Sequence, residues 1–169
     1  SQARVIENYS AVVGENRDPG NDAVLGQAHE YNRQLSTGEI VVGAGSNKPV
    51  MDGSGADGTI AYGDTLPSPT GVMARLKIPA ISVDLPVYHG TSDHVLNIGA
   101  GHLEGTSLPV GGTDTRSVLS AHRGLASATM FNDLDKLGVG DRFTIEVAGE
   151  VLTYEVVESQ VVDAFDTET

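Results

Sequence analysis

The hydrophobic and polar positions of this chain change their spacing near residue 70. Before that point, apolar side chains recur with the three-to-four-residue period of an amphipathic helix. One helical face would carry Val5, Tyr9 and Val12, and a second would carry Val24, Ala28, Tyr31 and Leu35. The stretch RDPGN separates them and has the composition of a turn. The pattern predicts two helices that pack on the rest of the protein, since isolated helices of this length are marginal in water.

Beyond Gly71 the apolar runs become short and are divided by Gly and Pro turns. Alternation at Phe143, Ile145 and Val147, and again at Leu152, Tyr154 and Val156, predicts a β-hairpin. Many short strands of this kind favour a mainly β barrel or sandwich over a parallel α/β sheet. Residues 36–71 lack periodicity and are rich in Gly, Ser, Asp and Pro. The chain therefore divides into N-terminal helices (1–35), a long loop (36–71) and a β domain (72–169).

The amino-acid composition limits the classes of partner and of chemical site that the protein can have. The 169 residues carry 10 Lys+Arg against 23 Asp+Glu, a formal net charge of -13, which argues against nucleic acid or an anionic lipid surface. No apolar run approaches the roughly 18 residues of a membrane span. The absence of cysteine excludes disulfides, thiolate metal sites and a nucleophilic thiol within these residues. With 5% aromatics, the core must consist mainly of Val, Leu, Ile and Ala.

Histidine spacing argues against a metal site. Four of the five histidines fall between positions 89 and 122. His89 and His94 lie in a loop-like stretch, and no His-x-x-x-His or His-x-His pattern presents two imidazoles to one ion. We therefore expect no metal site, and we interpret the histidines other than His122 as turn and surface residues.

His122 occupies a distinctive position because it ends the apolar run SVLSA and is followed by Arg-Gly. A histidine at a strand end has rigid backbone behind it and solvent in front. Its unperturbed pKa near 6.5 suits a general acid or base. Strand position alone leaves both a structural and a catalytic role open.

Four blocks in this order resemble successive blocks of the sortases, the cysteine transpeptidases of Gram-positive cell surfaces: IPAISVDLPVYHGT, GAGHLEGTSLPVGG, SVLSAHRGL and MFNDLDKLGVGDRFTI. The resemblance covers about Gly71 to Asp163. YHGT and GHLEGTSLPVGG, together with the N-terminal extension and the long loop, resemble the pilus-assembling class C enzymes most. The resemblance implies an eight-stranded β-barrel preceded by a helical extension and a lid loop.

The resemblance also implies a Cys, His and Arg catalytic set in which His122 is the general acid/base. It implies cleavage of a Leu-Pro-x-Thr-Gly sorting signal between Thr and Gly through a thioacyl intermediate, without a cofactor. The partners would be pilin or surface-protein sorting signals and a pilin acceptor lysine, at the outer face of the cell membrane. The membrane would be reached only through flanking segments. Arg123 would point to the opposite strand face from His122, so we interpret it as a surface or packing residue.

Two features depart from the family pattern. The family's cysteine and arginine strands are not found, so we expect the chain to be a segment whose catalytic Cys and Arg lie beyond Thr169, inactive by itself and lacking the last barrel strands. The loop also lacks the Asp-Pro-aromatic lid motif. Asp52 or Asp57 would then supply the latch carboxylate, and Met51 or Tyr62 the apolar plug. A housekeeping-type sortase, a non-catalytic sortase-like barrel and an unrelated ligand-binding barrel remain alternatives.

Overall fold

The computed structural model describes residues 2–6, 9–12, 19–40, 58–122 and 133–159. Its strands are β1 (Gln2–Ile6), β2 (Tyr9–Val12), β3 (Ala74–Ile78), β4 (Val83–His89), β5 (Ala100–His102), β6 (Ser117–Ala121), β7 (Arg142–Val147) and β8 (Glu150–Glu155). Its helices are α1 (Pro19–Ser36) and α2 (Asp93–Ile98), and single 3₁₀ turns cover Tyr62–Asp64, Pro79–Ile81 and Leu134–Lys136. The protein is mainly β, as the short apolar runs predict.

The strands of the described part form one curled sheet in the order β1-β6-β5-β4-β3-β7-β8-β2. Six central strands come from residues 74–155, and β1 and β2 pair with the two outer members of that set. All pairs are antiparallel except β4 with β5, which α2 connects. This sheet agrees with the predicted barrel-type fold and excludes a parallel α/β arrangement.

The first predicted helix is wrong. Residues Gln2–Ile6 and Tyr9–Val12 are strands, with Val5 opposite Val118 and Tyr9 opposite Tyr154. A sheet edge presents unpaired backbone N–H and C=O groups, and pairing with a β-branched or aromatic segment satisfies them. This tertiary pairing overrides the helical spacing of the apolar residues.

The second predicted helix is confirmed. α1 begins at Pro19, inside the RDPGN stretch, because proline suits the first turn of a helix, where its missing N–H has no partner to lose. It ends before Gly38, which has φ +83°, a conformation that favours glycine. Ala28 and Tyr31 are fully buried in the core, and Val24 and Leu35 pack against it. The helix therefore packs against the hydrophobic core, as its apolar face predicts.

The predicted hairpin is also confirmed. β7 and β8 pair from Arg142 opposite Glu155 to Val147 opposite Glu150. Ala148 (φ +47°) and Gly149 (φ +83°) form the two-residue connection, and positive φ at both positions fits the twist of a tight hairpin. Phe143 and Tyr154 stack with ring centroids 5.2 Å apart in the core. Leu, Ile, Val and Ala supply most of the remaining core, as the composition requires.

Candidate active site

β6 carries His122 to the outer face of the sheet. Leu119 and Ala121 belong to the hydrophobic core, so the intervening side chains of β6 point away from it. Val118 is buried but lies outside the core cluster, and Ser120 is half-buried. Continued alternation places His122, directly after the strand, on this same outer face. The structure therefore puts the predicted acid/base residue at a strand end with solvent access, as the sequence indicates.

The His122 imidazole is half-exposed and has no hydrogen-bond or ion-pair partner among the residues the structure describes. A histidine that acts as general acid/base needs at least one ring nitrogen that is free to exchange a proton with the reacting groups. The backbone behind it is fixed because β6 pairs with β5 on one side and β1 on the other. The side chain is thus available while its attachment point is rigid.

Glycine shapes the surface beside β6. Gly101 pairs with Ser120, and a Cβ at Gly101 would lie 2.2 Å from the Gly90 carbonyl oxygen. The close approach of the 90–95 segment to β5 thus requires glycine at position 101, within the block GAGHLEGTSLPVGG. α2 begins within this segment and contacts β5 and β6, so it borders the face that carries His122.

A second histidine, which the sequence does not single out, is buried on β5. His102 has no exposed surface. Its Nε2 lies 2.7 Å from the Ser107 carbonyl oxygen, which can only accept, so Nε2 carries the proton. Its Nδ1 then accepts a hydrogen bond of 2.6 Å from the Tyr62 hydroxyl. The interpretation of His102 as a turn or surface residue is wrong, because β5 points its side chain inward.

His89 extends this network. Its Nε2 donates to the Thr65 carbonyl oxygen at 2.8 Å, and the Thr65 hydroxyl donates to the Tyr62 carbonyl oxygen at 2.6 Å. The Tyr62 hydroxyl oxygen also accepts the Gly90 N–H at 3.1 Å. The His89 and Tyr62 rings meet edge to face with centroids 4.9 Å apart. Segment 62–65 is therefore bonded to the ends of both β4 and β5.

Burial keeps this network neutral. It lowers the pKa of His102 to about 4 and lowers the pKa of His89, since an imidazolium would lose its hydration there. Burial likewise raises the pKa of Tyr62, and it raises the pKa of Tyr31 to about 12. Burial therefore favours the neutral forms of these side chains, and His102, His89 and Tyr62 act as neutral hydrogen-bonding groups where segment 62–65 meets β4 and β5.

The structure describes only one of the four predicted lid residues, Tyr62. Met51, Asp52 and Asp57 lie outside the described residues, and so does Arg123. Tyr62 is described, and its ring lies 6.0 Å from that of Tyr31 on α1. Its contacts are with α1, β4 and β5, whereas His122 points to the other face of β6. The structure therefore does not bring Tyr62 together with His122.

Gln34 forms hydrogen bonds to the chain on both sides of residues 41–57, with its backbone carbonyl on one side and its side-chain amide on the other. The Gln34 carbonyl oxygen accepts the N–H groups of Glu39 at 2.9 Å and Ile40 at 3.3 Å. Its side-chain oxygen accepts the Ile60 N–H at 2.9 Å, and its amide nitrogen donates to the Gly58 carbonyl at 3.4 Å. Gln34 is buried, so these bonds are shielded from water. Gln34 therefore fixes Glu39 and Ile40 relative to Gly58 and Ile60.

Fold and site together define a mainly β domain with a solvent-accessible histidine at a strand end. The Sortase domain family model matches residues 76–169. Sortase D from Bacillus subtilis (strain 168) is 34% identical over 92 residues, covering 54% of this chain and 43% of that protein. The chain thus spans less than half the length of this curated relative.

Solved structures agree. Sortase C1 from Streptococcus agalactiae is 36% identical with a TM-score of 0.73, covering 91% of this chain and 75% of that one. Streptococcus pneumoniae sortase C is 33% identical with a TM-score of 0.68, covering 90% and 73%. A lid mutant of sortase A from Corynebacterium diphtheriae is 36% identical with a TM-score of 0.68, covering 89% and 77%.

The chain belongs to the sortase family. Sortases are cysteine transpeptidases of Gram-positive cell surfaces, and class C members are among the structures it resembles. No helix of the described part is long and apolar enough to cross a membrane.

Proposed function

We propose that this chain is the histidine-bearing part of a class C sortase that joins pilin subunits. The enzyme would cleave a Leu-Pro-x-Thr-Gly signal between Thr and Gly and transfer the acyl group to a pilin lysine. The family and its class C structural relatives support the reaction type. Streptococcus pneumoniae sortase C, one such relative, is described with respect to pilin substrate specificity.

His122 carries the proposal because it is half-exposed, unpartnered among described residues and anchored at the end of β6. In the proposed reaction a thiolate attacks the threonine carbonyl carbon. Protonated His122 then donates a proton to the departing glycine amine, leaving a thioester. A lysine amine attacks that thioester and gives its proton to His122, which forms the new amide bond and releases the thiolate.

The thiol must come from outside these 169 residues, which contain no cysteine. We propose that it lies beyond Thr169 in a longer polypeptide, together with the arginine that steadies the oxyanion. That polypeptide would be tethered at the outer face of the membrane, where sorting signals and pilins meet it.

The test uses the longer polypeptide and its His122→Ala variant. We expect His122→Ala to keep its circular dichroism spectrum and to lose both cleavage of a sorting-signal peptide and transfer to a pilin lysine. His94→Ala is the matched control, since His94 is an exposed histidine on α2. Retained activity in His122→Ala would refute the assignment, and cleavage without transfer to lysine would refute the pilin-joining role.

Of the predicted loop 36–71, the part between Ile40 and Gly58 is proposed as a lid over the cleft, with Asp52 or Asp57 as latch and Met51 as plug, because residues 62–65 are bonded to β4 and β5. A Corynebacterium diphtheriae relative has a lid, as its lid mutant indicates. Replacing both aspartates by alanine in the longer polypeptide should speed alkylation of the catalytic thiol and peptide cleavage. An exposed ion pair contributes at most about 1 kcal/mol, so the acceleration should be roughly fivefold or less. Unchanged rates would exclude these carboxylates as the latch.

A further inference from the structure

A polar groove lies between the C-terminal half of α1 and the 105–118 segment. Its volume is about 880 Å³, which lies in the range of ligand-binding clefts. α1 is fixed across it by Asn32, whose side-chain oxygen accepts the Leu108 N–H at 2.7 Å and whose amide donates to the Leu108 carbonyl at 3.4 Å. The groove walls are therefore held at a set distance by a buried amide.

Arg116 is exposed at this groove without a carboxylate partner among the described residues. The other arginines whose side chains are described are each paired: Arg33 with Glu30 and Glu39, Arg75 with Asp84, and Arg142 with Glu155. In a chain of net charge -13, an arginine that meets no carboxylate is a positive group left for something else. The guanidinium fork matches a carboxylate in two-pronged geometry.

Neighbouring groups restrict the ligand. The Ser107 hydroxyl oxygen accepts the backbone N–H of Arg116 at 3.0 Å, so the Ser107 hydroxyl proton stays available to donate to a ligand in the groove that Ser107 borders. Asp114 also borders the groove, and its negative charge disfavours a ligand with several negative charges. This charge opposes a polyphosphate or a run of acidic residues more than it opposes a peptide with one carboxylate, which favours the latter as the ligand.

The groove continues the face that carries His122. Val118 borders it and shares the outer face of β6 with Ser120 and His122. Val118 and His122 are four residues apart along the strand, or about 13 Å at the strand rise. An extended Leu-Pro-x-Thr segment has the same length, so a peptide that runs along β6 with its Thr at His122 brings the residue before Leu to the groove. The lysine amine must enter on the glycine side of the scissile bond after the glycine amine has left. A fixed binding group such as Arg116 therefore belongs on the other side, before the Leu-Pro signal.

We propose that Arg116 binds a carboxylate side chain at the one or two substrate residues that directly precede the Leu-Pro signal. This inference rests on the proposed function and adds a specificity-determining residue to it. A single Glu or Asp at that position, unlike Gln, pairs with the guanidinium and lowers the concentration of peptide needed for half-saturation.

The experiment compares two peptides that differ only in Glu or Gln before Leu-Pro-x-Thr-Gly. Cleavage by the longer polypeptide is measured for the unmodified protein, for Arg116→Gln and for the control Arg142→Gln, which removes an arginine from the distant hairpin. Fluorescence anisotropy measures binding of the same labelled peptides to the chain itself, without any need for the thiol.

We expect the Glu peptide to be favoured roughly three- to fivefold through KM at low salt, since exposed ion pairs contribute on the order of 1 kcal/mol and are screened by salt. Arg116→Gln should abolish the preference, so that the Glu and Gln peptides have the same KM, and Arg142→Gln should retain it. Equal KM and equal binding for both peptides, or a preference that survives Arg116→Gln, overturns the inference. Charge-dependent binding without cleavage of either peptide refutes the proposed function alone.

Discussion

Removal of the Tyr62 hydroxyl tests the buried histidine network directly. In Tyr62→Phe the ring remains and only the oxygen is lost. His102 Nδ1 then has no donor at a position with no exposed surface, while the Gly90 N–H retains the His102 carbonyl oxygen at 2.9 Å. A buried polar atom left unpaired costs about 1–3 kcal/mol. We therefore expect the free energy of unfolding to fall by about 2 kcal/mol.

Urea unfolding of the chain, followed by circular dichroism, measures this loss. In a protein of this size about 2 kcal/mol corresponds to a melting temperature roughly 4–8 °C lower. Tyr88→Phe is the matched control, because Tyr88 is half-buried and its hydroxyl has no partner among the described residues. If Tyr62→Phe and Tyr88→Phe unfold at the same urea concentration with equal slopes, the reasoning about His102 is refuted.

Three further changes probe the same body. Tyr31→Phe should leave stability unchanged or raise it by about 1 kcal/mol in urea unfolding, because the buried Tyr31 hydroxyl has no hydrogen-bond partner among the described residues; a large loss of stability would contradict this. The free energy of unfolding should fall as the pH drops from about 6.5 to about 4. In this range the unfolded chain binds a proton at His102, whereas burial lowers the pKa of His102 in the folded chain to about 4. A free energy of unfolding that stays constant from pH 7 to about 4.5 would contradict this. Gly101→Ala should lower the melting temperature sharply because of the Gly90 carbonyl oxygen, whereas Gly26→Ala, with open space on α1, should raise it slightly; equal shifts would refute the close-packing argument.

The sequence predicts those parts of the fold whose burial is repeated locally. The hairpin and α1 each have an apolar period that matches their buried face, so Phe143, Ile145, Ala28 and Tyr31 are read correctly from spacing alone. The outer placement of His122 follows equally from alternation along SVLSA.

The remainder depends on partners that are distant in the chain. Tyr62 and His102 are 40 positions apart, and Asn32 and Leu108 are 76 apart, so no local pattern reveals either pair. The helix predicted at Val5 and Tyr9 is wrong because these residues pair with the edges of β6 and β8. The spacing of apolar residues in the segment itself does not indicate that pairing. The roles of His122 and of the lid residues stay predictions.

The attachment of both flanks to Gln34 has a consequence for how such a domain tolerates change. Ile40 is bonded to the Gln34 backbone carbonyl, and Gly58 and Ile60 are bonded to the Gln34 side-chain amide, so both anchor points are set by one residue of α1. Closing a connection between fixed points becomes harder only with the logarithm of its length, by about 0.6 kcal/mol for each doubling. Insertions, deletions or a transplanted sequence between positions 41 and 57 should therefore be accepted with little loss of folding, which makes this the natural place to graft a reporter peptide or exchange segments between homologues.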